Sequence, residues 1–406
     1  MSKLLEQINN TRLIKKLGDL VLINQSTITS KFPYKEIEYI DTASVTRNHF
    51  DRPQILNIDK APSRAKRLLK DGDTILSTVR PSLCHYGFIK NPKPNTVVST
   101  GFVVLTPKNI DPFYLYSYLT QDSITNTLSS IAEATTTTFP AFRPEFLSGM
   151  EIEIPDLPTQ KKIAEILSAY DAKIENNNKI IKNLEATAQT IFNEWFVKFR
   201  FPGYKKVKMV ESEIGEIPEG WEVGKIVDLT TIMNSGGTPS TINKDYYSGN
   251  ISWFSTKELQ DSFLFDSEKK ITKEGLNNSS AKIFLEKTVV MAIYAAPTVG
   301  RLGILSKDSC FNQAAVGLVA KENVGYEFVY LLLKFLRNDL NNMANGAAQQ
   351  NLNVGIVKNY KIKIPSNSVL EKFKAVVSPS FILMLSLQKE NISLKQSRDQ
   401  LLAKLV

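Results

Sequence analysis

Residues 159–199 read TQKKIAEILSAYDAKIENNNKIIKNLEATAQTIFNEWFVKF, about forty residues without a glycine or a proline. Ile163, Tyr170, Asn177, Leu184 and Ile191 stand seven apart, and Leu167, Ile174, Ile181, Ala188 and Trp195 form a second series of the same period. Two interleaved heptad series are the a and d positions of a coiled-coil seam. Asn177 is the polar member of the seam. It either fixes the register of a helix pair or lies in a wet gap between helices. A helix from Gln160 to Val197 spans roughly 57 Å at about 1.5 Å per residue. One helix cannot bury such a stripe alone, so the pattern requires a partner.

The C-terminal stretch supplies one. From Leu370 onward, Phe373, Val377, Met384, Leu387, Leu394, Leu401 and Leu405 occupy equivalent places, interrupted by Ser380, Asn391 and Arg398. Ser378-Pro379 has the form of an N-cap followed by proline at the first helical position, which starts the long helix there. An antiparallel pairing places whatever precedes each helix at opposite ends of the rod.

What precedes each helix also repeats, at a period of about 210 residues, far too long for a solenoid. LGDL (17–20) matches IVDL (226–229), and Ala65-Lys66 matches Ala281-Lys282. VRPSLCHYGFI (79–89) lies over AAPTVGRLGIL (295–305), with Pro81 over Pro297 and Gly87 over Gly303. VVSTGFVVL (97–105) lies over FNQAAVGLV (311–319), and EIEIP (151–155) over KIKIP (361–365). Each half carries strand-like runs, TILSTV (74–79) and TVVMAIY (288–294), then helical pieces, then a short alternating strand that stops at a proline. The fold class that follows is α+β: two similar globular domains separated by a pair of long antiparallel coiled-coil helices.

The chain has 406 residues, 42% hydrophobic and 22% charged, with a net charge of +9. It is too long for a single core and soluble in composition. The positive charge makes an anionic partner plausible without saying which. No apolar run is long enough to span a membrane, and the N-terminal stretch lacks the form of a signal peptide. Cys84 and Cys310 are the only cysteines, so no disulfide framework exists and a cytoplasmic setting is the simplest reading. His49 and His85 are the only histidines, none at ligand spacing, so no metal site is expected.

Catalytic signatures are missing. There is no GxGxxG, no phosphate loop ending in lysine, no GxSxG and no HExxH. SGGTPS (235–240) reads as a tight turn. No Pro-Pro occurs, so the Asn/Asp-Pro-Pro-aromatic motif of adenine methyltransferases is absent. PDLPTQK (155–161) lacks the second carboxylate of a nuclease motif and sits at a strand-to-helix corner.

The chain resembles the specificity subunit of type I restriction–modification systems over nearly its whole length. PSRAKRLLKDGDTILSTVRP (62–81), LPTQKKIAEILSAYDAKIENNNKIIKNLEATAQTIFNEWFVKF (157–199) and SEIGEIPEGWEV (212–223) carry the likeness, with the two Ile-Pro strand ends. The resemblance implies a first target recognition domain in 1–157, a central helix in 158–199, a linker and second recognition domain in 200–366, and a C-terminal helix in 367–406. It implies a non-catalytic subunit whose domains each read one half of a split double-stranded DNA target. The helices then set the spacing and dock two methyltransferase subunits, and restriction/translocase subunits join them. S-adenosylmethionine, ATP and Mg are expected on those partners and no cofactor on this chain. The poorer heptads of the C-terminal helix leave the tightness of the pair open. A different class of protein, a coiled-coil scaffold with two protein-binding heads, is told apart by salt-dependent DNA affinity.

Base readout needs Arg for guanine and Asn or Gln for adenine, whereas phosphate contacts need only a cation. In the first domain Lys60, Arg64, Lys66, Arg67 and Lys70 crowd together, with Arg64 and Lys66 the better candidates because their segment recurs around Lys282. Arg47 and Arg52 flank a loop, and Arg80 ends a strand, either facing DNA or closing an ion pair with Asp73. In the second domain the candidates are Lys257, Lys282, Arg301 and the amides Gln349, Gln350 and Asn351 of GAAQQNLN (346–353), whose counterpart is the run Thr135 to Thr138. Trp221 and Trp253 read as core aromatics, and FRFPGYKKVK (199–208) as a linker.

Overall fold

The computed structural model describes residues 12–135, 140–294, 297–345 and 352–406. The chain divides into two compact units: one runs to Ile174 and includes Ser393–Val406, the other is Glu175–Ile392.

The first unit is built from β1 (Leu13–Lys16), α1 (Leu17–Leu20), β2 (Val21–Ile23), β3 (Glu36–Ile40), the hairpin β4 (Val45–Thr46) and β5 (His49–Phe50), β6 (Gln54–Asn57), β7 (Ala65–Leu68), β8 (Thr74–Ser77), β9 (Tyr86–Phe88), β10 (Thr96–Ser99), β11 (Phe102–Pro107), α2 (Pro112–Leu119), α3 (Asp122–Thr135), α4 (Pro144–Gly149) and β12 (Glu151–Ile154). Two four-stranded sheets run β2-β11-β8-β9 and β6-β3-β10-β7, and β1 pairs antiparallel with β12. Strands β8 and β10 are buried along their whole length, which is why they read as continuous runs rather than alternations. In β12 the alternation is literal: Ile152 and Ile154 are buried while Glu151 and Glu153 face out. Asp111 caps α2 by accepting from the Phe113 and Tyr114 amides, with Pro112 at the first helical position.

The second unit contains β13 (Met209–Val210), β14 (Ile217–Pro218), β15 (Glu222–Lys225), β16 (Thr230–Ser235), β17 (Ile251–Phe254), β18 (Ser262–Leu264), β19 (Lys269–Ile271), β20 (Val289–Ala292), β21 (Leu302–Leu305), β22 (Cys310–Phe311), β23 (Ala315–Ala320) and β24 (Lys361–Ile364). Its sheets run β16-β23-β20-β21-β18 and β19-β17-β22, with β15 paired to β24. The topology of the first unit is repeated with two differences: β18 is added to the edge of one sheet, and the other sheet has three strands, with no strand in the place of β7.

Strand register makes the duplication concrete. Leu13 faces Ile154 as Glu222 faces Ile364. LGDL forms α1, and IVDL forms a 3₁₀ turn at the same place. Gly87 faces Ile75 as Gly303 faces Val290. One alignment is corrected. Leu105 faces Thr74 and Leu318 faces Val289, so Leu105 corresponds to Leu318, one residue earlier than the sequence reading placed it. The composition of these apolar strands hides a one-residue slip that the pleat does not allow.

The helices, counted onward from α4, are α5 (Leu157–Phe192), α6 (Lys273–Asn277), α7 (Tyr326–Asn345), α8 (Val354–Asn359) and α9 (Asn367–Leu405). Within the first unit Asp171 of α5 pairs with Arg398 of α9, and Ile163, Leu167 and Leu405 share one core cluster. Within the second unit the Asn177 amide donates to Asn391 (2.9 Å) and Glu390 (2.8 Å), and Phe196, just past α5, meets Phe373. As residue numbers rise along α5 they fall along α9, so the pair is antiparallel. Ile163, Leu167, Ile174 and Leu387 are buried; Tyr170, Ile181, Leu184, Leu394 and Leu401 are half-buried. Asn177 is fully buried; its amide nitrogen pairs with α9, and its Oδ1 has no protein partner among the described residues.

Three expectations about the helices are corrected. Helix α9 begins at Asn367, and Pro379 lies inside it. Ser378 is no cap, because its hydroxyl donates to Glu327 Oε1 at 2.6 Å. Phe373, Val377, Phe381 and Met384 are all buried across the proline, and that burial carries the helix through it. The C-terminal seam also runs through Phe381, beside the Ser380 that seemed to interrupt it. At the end of α5 the buried stripe runs Ala188, Phe192 and Phe196, at i+4 spacing, where Ile191 and Trp195 were expected, and the helix closes in a π-helical turn over Asn193–Val197. Finally, 199–208 is more than a linker: Phe201 is buried and stacks on Trp221, and Phe199 packs on it edge-on. Because Pro379 is exposed and denies the helix one hydrogen bond, Pro379→Ala is expected to stabilise the protein by about 1–3 kcal/mol in urea titration. A loss of stability would show that the helix needs its break.

Candidate nucleic-acid interface

In the first domain the two sheets are joined by a two-residue turn, Thr100-Gly101, between β10 and β11. The Thr100 amide donates to the Arg64 carbonyl (2.8 Å), and the Gly101 carbonyl accepts from the Thr78 amide (2.9 Å) and hydroxyl (3.0 Å). The Thr78 carbonyl accepts from Phe142, and the Arg80 amide donates to Pro140 at 2.8 Å. A single backbone ladder thus aligns Arg64, Thr100, Arg80 and the segment following the threonine run. Arg80 holds a left-handed φ of +48°, a strained state for a residue with a Cβ. Asp73 and Arg80 lie beyond opposite ends of β8, so the alternative of a local ion pair falls away.

Arg47 lies at the tip of the β4–β5 hairpin, where its φ of +47° and the +64° of Asn48 fit a primed two-residue turn. The tip is pinned to the body: the Arg47 amide donates to Cys84, the Asn48 amide to Tyr86, and Asn48 Oδ1 accepts from Phe88. The neighbouring Cys84 and Tyr86 raise the pKa of Arg47 above its ordinary value. Arg52 is exposed at the foot of this hairpin.

The crowded basic run divides by the partners its side chains find. Arg64 donates to the Tyr39 hydroxyl (3.1 Å) and lies 3.5 Å from Asp41. Arg67 is half-buried against Asn24, and burial lowers its pKa. Lys70 reaches Gln25 at 3.0 Å. Lys66 is exposed and has no ion pair among the described residues, which leaves its full charge for an anionic partner.

The second domain has the same frame. The turn Gln313-Ala314 joins β22 to β23, and the Ala314 carbonyl accepts from Ile293 (2.8 Å) and Tyr294 (3.2 Å). Lys282 is exposed without an ion pair among the described residues, as Lys66 is. Lys257 is exposed and carries a surface partner. Its ammonium lies 2.5 Å from Glu268 Oε2 in a solvent-exposed pair, which water screens. Arg301 is half-buried in a turn braced from behind. A Cβ on Gly300 (φ +82°) would come within 2.9 Å of Arg337 Cγ. Arg337 grips Asp261 with both guanidinium ends (2.9 and 2.6 Å), and Asp261 Oδ1 accepts from the Leu302 amide beside Arg301. Burial pushes the Asp261 carboxyl up, but the Arg337 fork and the Leu302 amide outweigh it and hold it below the ordinary value.

SGGTPS is not a tight turn. It runs as an irregular segment so close to β22 that a Cβ on Gly236 would fall 2.1 Å from the Phe311 carbonyl oxygen. Asp156 of PDLPTQK caps α5 by accepting from the Thr159 amide at 3.0 Å. Trp221 and Trp253 are buried. Gln349, Gln350 and Asn351 lie outside the described residues, as do Thr136 to Thr138. In both domains these polar segments occupy the same place in the chain, after α3 or α7 and before α4 or α8. The sequence reading passed over Thr100 and Gln313. The repeat itself was the signal, and the one-residue misalignment set Thr100 over Ala314.

Among the described residues no group of side chains forms a metal site, and no helix is long and apolar enough to cross a membrane. A family model described as the type I restriction modification DNA specificity domain matches the chain twice, over residues 12–186 and 218–372. A type I restriction enzyme specificity subunit from Haemophilus influenzae, HindI, is 29% identical, covering 92% of this chain and 94% of its own. Another from Methanocaldococcus jannaschii, MjaIX, is 30% identical over 82% of this chain and 76% of its own. The fold is like that of a type I restriction–modification S subunit from M. genitalium, with a TM-score of 0.59 at 16% identity over 98% and 96% of the two chains.

Proposed function

The chain belongs to the type I restriction modification DNA specificity family, and from that membership we propose that it is the DNA-reading subunit of a type I restriction–modification enzyme. Each duplicated domain reads one half of a split target. The observation that carries this is the repeated topology: β2-β11-β8-β9 matches β16-β23-β20-β21 and β6-β3-β10 matches β19-β17-β22, while the equivalent turns at Thr100 and Gln313 differ in chemistry. A common frame with different side chains is what two readers of different short sequences require. The exposed cations Lys66 in the first domain and Lys282 in the second contact phosphates.

Chemistry then belongs to partners. Two methyltransferase subunits, with S-adenosylmethionine, dock on the paired helices. The outward apolar side chains Val376, Ile382, Leu383 and Ile392 of α9 suit that docking. Restriction subunits bring ATP and Mg. The helix pair acts as the spacer between readers.

The test is a map of N6-methyladenine across the host genome with the gene intact, deleted, or carrying residues 1–157 from a relative. Deletion is expected to abolish methylation at one split motif on both strands. The exchange is expected to alter one half-site and leave the other as it was. Methylation untouched by deletion would refute the role, and an exchange that altered both half-sites would refute one domain per half-site.

A further inference from the structure

We propose that Thr100 and Gln313 are equivalent base-reading residues, one in each domain, and that Gln313 reads an adenine. The inference rests on the two-reader function proposed above and names the side chains that execute it.

Register establishes the equivalence. Val98 faces Ile40 in the first domain as Phe311 faces Phe254 in the second, and each reading residue follows two positions later. Thr78 donates to Gly101, and Ile293 donates to Ala314, closing the same bond next to each residue. Both side chains are exposed, although the strands on either side are buried: Ser99 and Phe102 in one domain, Phe311 and Ala315 in the other. A polar side chain on a short turn whose backbone is fastened on both sides is preorganised for recognition.

The setting matches the task. Thr100 stands between Arg64, whose carbonyl its amide meets, and Thr78, which leads to Arg80. Gln313 stands between the segment at Gly237, which packs on Ser280 and Ala281 just before Lys282, and the exposed Tyr294. Cations beside the turn, Arg64 and Arg80 in the first domain and Lys282 in the second, position a duplex by its phosphates, and the residue on the turn meets the bases. The Thr238 hydroxyl donates to Gln313 Oε1, which orients the amide. Oε1 keeps a second lone pair and Nε2 keeps its donors. That acceptor-donor pair complements N6 and N7 of adenine in the major groove. A threonine at the equivalent position offers one hydroxyl and a methyl group, so the same frame reads a different base.

The experiment maps N6-methyladenine in the host carrying Gln313→Ala, Gln313→Glu or Thr100→Val in the full-length chain, with co-purification of the methyltransferase as the check on assembly. Gln313→Ala is expected to relax one base position of one half-site by roughly ten- to hundredfold, leaving the other half-site intact. Gln313→Glu, which keeps the shape and loses the donor, is expected to move preference at that position towards cytosine, and it carries the test alone if the alanine variant does not assemble. Thr100→Val is expected to relax a position in the opposite half-site. An unchanged motif in an assembled Gln313→Glu complex overturns the proposal. Uniform loss across all sites with assembly intact also overturns it, because that marks a phosphate contact. Failure of the underlying function is separate: methylation would then survive deletion of the gene.

Discussion

Truncating Phe373 to alanine is expected to lower the stability of the Glu175–Ile392 unit by about 3–5 kcal/mol. Phe373 is fully buried, and its ring centroid lies 4.7 Å from Phe196, 5.7 Å from Trp195, 6.1 Å from Phe328 and 6.3 Å from Phe192. Those partners come from α5 and its π turn and from α7, so one side chain of α9 joins three elements. All four contacts are edge-on, an arrangement that adds to the stabilisation from buried area. Helices held at both ends relax poorly into a hole, which puts the cost at the high end for a Phe-to-Ala change. The readout is specific. Trp195, Trp221 and Trp253 all belong to this unit, so tryptophan fluorescence in urea follows it alone. Val376→Ala, on the exposed face of the same helix, is the control and is expected to shift stability by at most about 0.5 kcal/mol. A Phe373 effect under about 1 kcal/mol would mean that the cluster is not what holds α9 to this unit.

The same helix marks where sequence is legible. The seam of α5 could be read because burial imposes a period of seven on its apolar residues, and Ile163, Leu167 and Ile174 obey it. Ser378-Pro379 misled because a local start signal was outweighed by distant packing: Glu327 takes the serine hydroxyl, and Phe381 continues the buried stripe. The duplicated domains could be read because Gly87 and Gly303 and the Ile-Pro strand ends recur. Register inside the apolar strands could not, since neighbouring valines and alanines are interchangeable in composition but not in the side they face. Candidate contacts were the least legible. Nothing in the run around Lys257 announces its exposed pairing with Glu268, or that Arg67 is half-buried against Asn24 while Lys66 beside it is exposed. Phosphate and base contacts have no period. They depend on which exposed side chains a rigid turn brings together, as with Thr100 and Gln313, and only the strand pairing brings those positions into correspondence.

In the first unit Arg398→Ala is expected to cost about 2–4 kcal/mol, and more than Asp171→Ala. The Arg398 guanidinium lies 2.5 Å from Asp171 Oδ1, with the two side chains 30% and 21% exposed. Burial draws the guanidinium pKa down, but the Asp171 and Asp399 carboxylates outweigh it and raise it. The charges also act on Tyr116, whose hydroxyl burial holds far above its ordinary range. Removing the arginine strands Asp171 in this half-buried site without its cation. Removing Asp171 leaves Arg398 its second carboxylate, Asp399, at 2.8 Å, so the residual penalty is smaller. Replacing both partners by Arg398→Met and Asp171→Leu is expected to recover most of the loss, because desolvation of the charges disappears with them while the packed volume is kept. The measurement is amide hydrogen exchange at Leu115 and Tyr116 in α2, compared with the tryptophan transition of the other unit, which should not move. Equal costs for the two single variants, without recovery in the double variant, would assign the contribution of Arg398 to its aliphatic stem rather than to its charge.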